Sequence, residues 1–268
     1  MKRMLSIYFT FIKMHIRQQM MYRMSFFAGV VGQAFSYGVQ FLMIHILTSS
    51  FGTLAGWKPE EVLFMYAFSL LSYGLGAACF YWPSNNLVVK VRTGEFDNSL
   101  TKPISPFLYE MFSGFSAGYI THITLSVVVL VITIQKTSFQ VSVGNIALLL
   151  FLLICSAMMQ GAFLLISAVP SFFTVNQNPV LDFLLWDIKK FVDYPITIYG
   201  GVIQVLLSFV LPYAFLAFYP ASWLLGKENL TILPDFVQYL APVISILFFA
   251  VTLKLWHFGL SRYQSTGS

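Results

Sequence analysis

Six long apolar runs, at roughly 26–47, 62–82, 112–134, 144–168, 196–219 and 235–257, leave this chain few ways to fold in water. A helix rises about 1.5 Å per residue, so about 20 apolar residues cross the hydrocarbon of a bilayer. Charged residues are 9% of the 268 and hydrophobic ones 58%, where soluble domains carry about 25% charged. The sequence therefore specifies an all-α, polytopic membrane protein: one transmembrane domain over 1–268, six spanning helices and no soluble domain. Phenylalanine occurs 28 times, which suits a surface facing lipid. Cys79 and Cys155 both fall inside apolar runs and read as small packing residues rather than a disulfide framework.

Charge placement orients the spans. With the N-terminus in the cytoplasm, the inside segments hold Lys2, Arg3, Lys13, Arg17, Arg23, Lys90, Arg92, Lys102, Lys189, Lys190, Lys254 and Arg262. The outside segments hold Lys58, Lys136 and Lys227. Cytoplasmic loops concentrate Lys and Arg, so both termini and the long connections 83–111 and 169–195 are expected in the cytoplasm. A charge of +5 sorted in this way argues against nucleic acid as a partner and for a membrane surface.

Residues 1–23 read as an interfacial helix, because Met4, Ile7, Tyr8, Phe11 and Met14 share a face with Lys2, Lys13 and Arg17 roughly opposite. Residues 180–193 are also amphipathic, either a second cytoplasmic contact or a helix on the inner rim of the bundle. Run five carries Gly200-Gly201, Leu211-Pro212 and Tyr219-Pro220. Irregular backbone cannot face lipid, so a re-entrant segment over 213–234, entered from outside, is expected there.

The stretch Val91–Pro106, VRTGEFDNSLTKPISP, is the main polar interruption. Gly94 can stop a helix at positive φ, and Pro103 and Pro106 each lack a backbone donor. Between these breakers lie Glu95, Phe96, Asp97, Leu100 and Lys102. Phe96 and Leu100, four apart, are expected to project together from a short helix into a partner protein.

Catalytic signals are thin. His15, His45, His122 and His257 lie on four different elements without metal-ligand spacing, and Gly226-Lys227 lacks the rest of a phosphate loop. No acidic residue falls deep in a run. The runs carry neutral polar stripes instead: Gln33, Tyr37 and Gln40; His122, Ser126 and Thr133; Ser156 and Gln160; Gln204 and Ser208. Such stripes either bond neighbouring helices or line a pathway or subunit seam. Gly114 and Gly118 permit close helix packing.

In GEFDNSLTKP, the residues Gly94, Asp97, Leu100 and Pro103, together with Tyr194-Pro195, Leu211-Pro212, Tyr219-Pro220-Ala221 and Leu225-Gly226, follow a known order. Over nearly its whole length the chain resembles the membrane permease subunit of type-2 ABC exporters, in the small six-span bacterial branch. Lys102 and Asp193 stand where that family would have arginine. The resemblance implies a coupling helix in the first cytoplasmic loop, drawn from Gly94, Glu95, Phe96, Asp97, Leu100, Lys102 and Pro103, and re-entrant helices before the last span. It also implies a homo- or heterodimer of permeases in the inner membrane, engaged in ATP-driven efflux. No cofactor is expected on this chain, and ATP with magnesium belongs to separate ABC ATPase partners. Two other functions stay open on the residues alone: a membrane-embedded lipid-modifying enzyme or assembly factor, and a stand-alone channel or secondary carrier.

Overall fold

The structure, a computed structural model, describes residues 10, 11, 13, 14, 17, 21, 23–114, 118–174, 183, 187–228 and 231–265. Its elements in chain order are α1 (Arg23–Phe51), α2 (Pro59–Thr93), α3 (Phe96–Leu100), α4 (Pro106–Ser113), α5 (Tyr119–Ile134), α6 (Val143–Ala168), α7 (Gly201–Val205), α8 (Phe218–Leu224) and α9 (Ala241–Arg262). Helix makes up about 81% of the structure, and the described residues contain no strand. Most of the expected interfacial helix over 1–23 lies outside the described residues; the Phe11 ring meets Tyr109 of α4 edge-on at 6.1 Å.

Among the described residues four helices are long and apolar enough to cross a membrane: Phe26–Phe51, Pro59–Thr93, Val143–Phe172 and Asp235–Arg262. Helix α2 begins where Pro59 takes a first-turn position and the Glu61 carboxylate accepts the Lys58 N–H at 2.8 Å. It runs through Pro83 and stops at Gly94, whose φ of 74° is the left-handed turn that the sequence requires of it. Helix α5, of 16 residues, is shorter than run 112–134 suggests, about 24 Å long. The chain bends before it at Gly114, where an added Cβ would fall 2.3 Å from the Pro83 ring. A side chain there would push α2 and the bend apart.

The bundle has two distinct ends. At one, Trp57 is buried under Phe218, with Gly52, Ala55 and Gly56 all at positive φ around it. At the other, Leu87, Val91, Phe96, Met111, Phe172 and Trp256 form a separate apolar cluster. Helix α2 links these ends and packs along α5 and α6.

Two expectations fail here. Run 196–219, expected to cross as far as about Pro212 and then dip back, breaks into Ile196–Ile198, α7, a π-turn at Leu206–Val210, a 3-10 turn at Tyr213–Leu216 and the start of α8. Nor does 169–195 stay at one end. Phe172 packs on Trp256 and Tyr263, whereas the Thr197 hydroxyl donates to the Ala55 carbonyl at the Trp57 end. Phe172 and Thr197 thus lie at opposite ends of the bundle. The chain then enters the bundle from the Trp57 end through α7, turns at Leu211–Ala217 and returns by α8 to the end it left, where Ser138 donates to the Leu225 carbonyl at 3.0 Å. Glycine and proline punctuation had pointed to such a hairpin, but it starts earlier than residue 213.

The turn of that hairpin is the centre of the largest core. Tyr213, Ala214, Phe215, Leu216, Ala217, Phe218 and Tyr219 are all buried, and the Tyr213 ring stacks on Phe163 at 4.2 Å. Backbone that is irregular, and so unable to face lipid, is sheltered by α2, α6 and α9. Helix α1 is the opposite case. Phe35 is 74% and Val31 67% exposed, an apolar face left to lipid or to another chain.

Candidate functional site

The polar interruption builds a clamped helix. Phe96, expected to point outward, is fully buried between Phe172 and Tyr263, with ring centroids at 5.5 Å and 5.1 Å. Leu100 is 43% exposed, so the two side chains do not project together. Five residues make little more than one turn, and the apolar cluster beneath covers only its N-terminal part.

Two polar locks hold α3 from its sides. Glu110 of α4 is buried, and its carboxylate accepts Lys90 at 2.6 Å on one oxygen and the Ser99 hydroxyl on the other. Asp97 accepts the Tyr263 hydroxyl at 3.1 Å and the Ser265 hydroxyl, fixing the residues after α9 against α3. Burial first, and then the bond to Asp97, push the Tyr263 phenol above its ordinary pKa, so it remains a donor. Asp97, which the sequence left to cap a turn or meet a partner, is thus used within the chain. Glu95, Asn98, Leu100, Thr101, Lys102 and Pro103 stay exposed, with Gly94 half-buried behind them.

The polar stripes resolve into contacts between helices. The Tyr37 ring lies 4.5 Å from His122, and Gln40 accepts the Tyr66 hydroxyl, so this stripe of α1 faces α2 and α5. Gln33 Oε1, on the same helix, is buried with no hydrogen-bond partner among the described residues. His122 and Ser126 are buried, and Ser126 donates back to the His122 carbonyl at 2.6 Å. Gln204 and Ser208 tie the hairpin together. Gln204 accepts the Ile232 N–H at 3.0 Å and donates to the Tyr199 carbonyl at 2.8 Å. Ser208 meets the Tyr219 hydroxyl at 2.8 Å across the two legs.

Sequence reasoning missed Lys189 and Asp193. Both had been placed in a cytoplasmic connection, yet the Lys189 ammonium sits 3.9 Å from the centroid of Tyr73, about 21 Å along α2 from Pro59. Tyr37, Tyr73, Tyr119 and His122 form one aromatic group beside it. Lysine in such a place marks function more often than architecture, because its desolvation is costly. The signal available was the amphipathic pattern of 180–193, which suits a crossing helix with one polar side as well as a surface helix.

Apolar helices, an internally sheltered hairpin and a braced helix at one end define a multi-pass membrane protein. A family model described as "ABC-2 family transporter protein" matches residues 34–267, and the chain belongs to that family. It is a membrane permease subunit of an ABC transporter, and membership implies association with an ABC ATPase subunit. Neither a curated protein nor a solved structure matches the chain.

Proposed function

We propose that this chain is the permease half of an ATP-driven exporter in a bacterial inner membrane, and that separate ATPase subunits dock on α3. Two permease chains, identical or related, assemble through the apolar face of α1, and each ATPase holds its own ATP and magnesium. The observation that carries this reading is the bracing of α3. A short helix locked at Phe96, Asp97 and Ser99 moves as one body with α2, α4 and α9, while its Glu95–Pro103 face remains open. A partner that pushes on that face moves the ends of two long helices, α2 and α9, together with α4.

Lys90, Arg92, Lys102 and Arg262 cluster at the Phe96 end, so that end faces the cytoplasm. Lys58, Lys136 and Lys227 belong to the opposite, external end. On this orientation the crossings are α1, α2, α5, α6, residues 173–197 and α9, and the 199–226 hairpin is re-entrant from outside. Lys227 seals the external side: its ammonium pairs with Glu61, donates to the Gly56 carbonyl at 2.9 Å and lies 4.8 Å from the Trp57 ring centroid.

The test is Leu100→Glu, which alters the open face and leaves the Phe96 core untouched. Co-purification of the ATPase and ATP-driven transport should fall together, while the permease inserts and melts as wild type. Exposed anchors at the centre of an interface commonly contribute more than about 1 kcal/mol, which a pull-down resolves. Wild-type ATPase recovery and transport in Leu100→Glu would refute docking at α3.

A further inference from the structure

The exposed face of α9 changes character along one line. Val243, Leu247 and Val251 are exposed, and Lys254, Phe258 and Arg262 continue the same stripe. On a helix these six positions fall within about 100° of one another. The stretch from Val243 to Val251 makes about 12 Å of apolar helix open to acyl chains. The next three turns bring two cations to the same surface, at the end where Tyr263 packs on Phe96.

Among the described residues neither cation is paired. No salt bridge includes Lys254 or Arg262, nor the exposed Glu95 beside α3. No acidic residue follows Asp235 in the sequence. At this end Asp97 accepts from Tyr263 and Ser265, and Glu110 accepts from Lys90 and Ser99. The Arg262 guanidinium carbon lies 5.7 Å from the Phe258 ring centroid, and Phe173 flanks that ring at 6.0 Å. Both rings are more than half exposed, so the guanidinium rests on an open aromatic surface rather than in a core. An exposed ring offsets little of a cation's preference for an anion. His257, on the same side of α9, already meets the Leu253 carbonyl through Nδ1 at 2.7 Å.

The order of the stripe selects the ligand. A protein docked on the cations would leave the apolar length above them to the bilayer. A molecule with a negative head joined to long apolar chains matches both parts, in the order in which the helix presents them. Cationic side chains at a membrane surface attract such lipids, and their flexible stems let the charged ends reach headgroup depth.

We propose that the outer face of α9 binds an anionic glycerophospholipid, its phosphate between Lys254 and Arg262 and an acyl chain along Val243–Val251. The leaflet that supplies the lipid follows from the orientation given above. Binding depends on neither that orientation nor the transport reading, so it is measured on purified permease with no ATPase present.

The experiment titrates phosphatidylglycerol into permease held in an uncharged maltoside detergent and follows the melting temperature. Phosphatidylcholine with the same acyl chains, which has no net charge, is the control lipid. Wild type should melt higher with phosphatidylglycerol, saturably, and respond less to phosphatidylcholine. Lys254→Gln with Arg262→Gln should weaken the apparent affinity for phosphatidylglycerol about tenfold or more. Exchanging the cations, Lys254→Arg with Arg262→Lys, should keep it. Arg92→Gln with Lys102→Gln removes the same charge from the same end of the protein and should also keep it. Unchanged affinity in the Lys254 and Arg262 double variant overturns the proposal, as does an equal loss in the Arg92 and Lys102 control or an equal response to phosphatidylcholine. A double variant that keeps its lipid affinity but no longer recovers the ATPase would give the strip to that protein instead, and the lipid site would fall. Should the double variant fail to fold, unchanged affinity in both Lys254→Gln and Arg262→Gln overturns the proposal equally.

Discussion

At the scale of single residues, the Phe96 end depends on a carboxylate that its neighbours cannot replace. Glu110 is 1% exposed and accepts from both Lys90 and Ser99. Glu110→Leu would strand both donors. Lys90 keeps a quarter of its side chain in contact with solvent and can turn outward, which moderates the loss. Removing a charged hydrogen-bond acceptor then costs about 2 kcal/mol, seen as a lower melting temperature of the purified permease. The double variant Lys90→Met with Glu110→Leu should recover part of that loss, because no charge is left without its partner. A double variant that melts no higher than Glu110→Leu alone would show that Lys90 is not the group stranded. Glu110 was hard to find in the sequence. It follows the polar interruption by a few residues, inside a run of Phe, Leu, Tyr and Met, and nothing local marks its partners 20 and 11 positions away.

At the scale of elements, local chemistry was legible and tertiary placement was not. Gly94 announced its stop, and Pro103 with Pro106 announced the end of the short helix, because backbone restrictions act on the residue itself. The direction of Phe96 was misread because periodicity assumes one buried face along a whole helix. In α3 the covering residues, Phe172 and Tyr263, come from distant parts of the chain and reach only its first turn. The hairpin shows the same division. Its breaks at Leu211-Pro212 and Gly200-Gly201 were visible, but the Ser208–Tyr219 bond that joins its legs depends on how far it descends. Tyr219→Phe and Ser208→Ala should each lower the melting temperature by an amount corresponding to about 1 kcal/mol. The double variant should lose less than the sum of the two single changes, since they share the Ser208–Tyr219 bond, although Ser208 also gives up its bond to the Gln204 carbonyl and Tyr219 its bond to Thr231. Fully additive losses would show that the two hydroxyls act separately.

For the whole molecule, hydropathy found the helices made wholly of apolar residues and passed over the traverse that is not. Residues 172–198 include Asn176, Gln177, Asn178, Asp182, Asp187, Lys189, Lys190 and Asp193, too many polar groups for a window that averages along the chain. Of these, Lys189 has the Tyr73 ring against its ammonium, and the neighbouring Val192 and Ile196 are fully buried in the main core. The displaced crossing changes what thiol labelling should show. With Cys79 and Cys155 replaced, single cysteines at Thr53 and Glu228 should react with an impermeant reagent added outside, and one at Asn98 should not. The informative position is Ile198, which is 37% exposed. A crossing helix over 196–219 would begin at the cytoplasmic face, shielding Ile198 from the reagent. A traverse over 173–197 delivers it to the Trp57 end, where Thr197 meets Ala55. Ile198→Cys should therefore label from the same side as Thr53→Cys, in intact cells and without permeabilisation. Labelling only after the cells are opened would return the fifth crossing to 196–219 and remove Lys189 from the membrane interior.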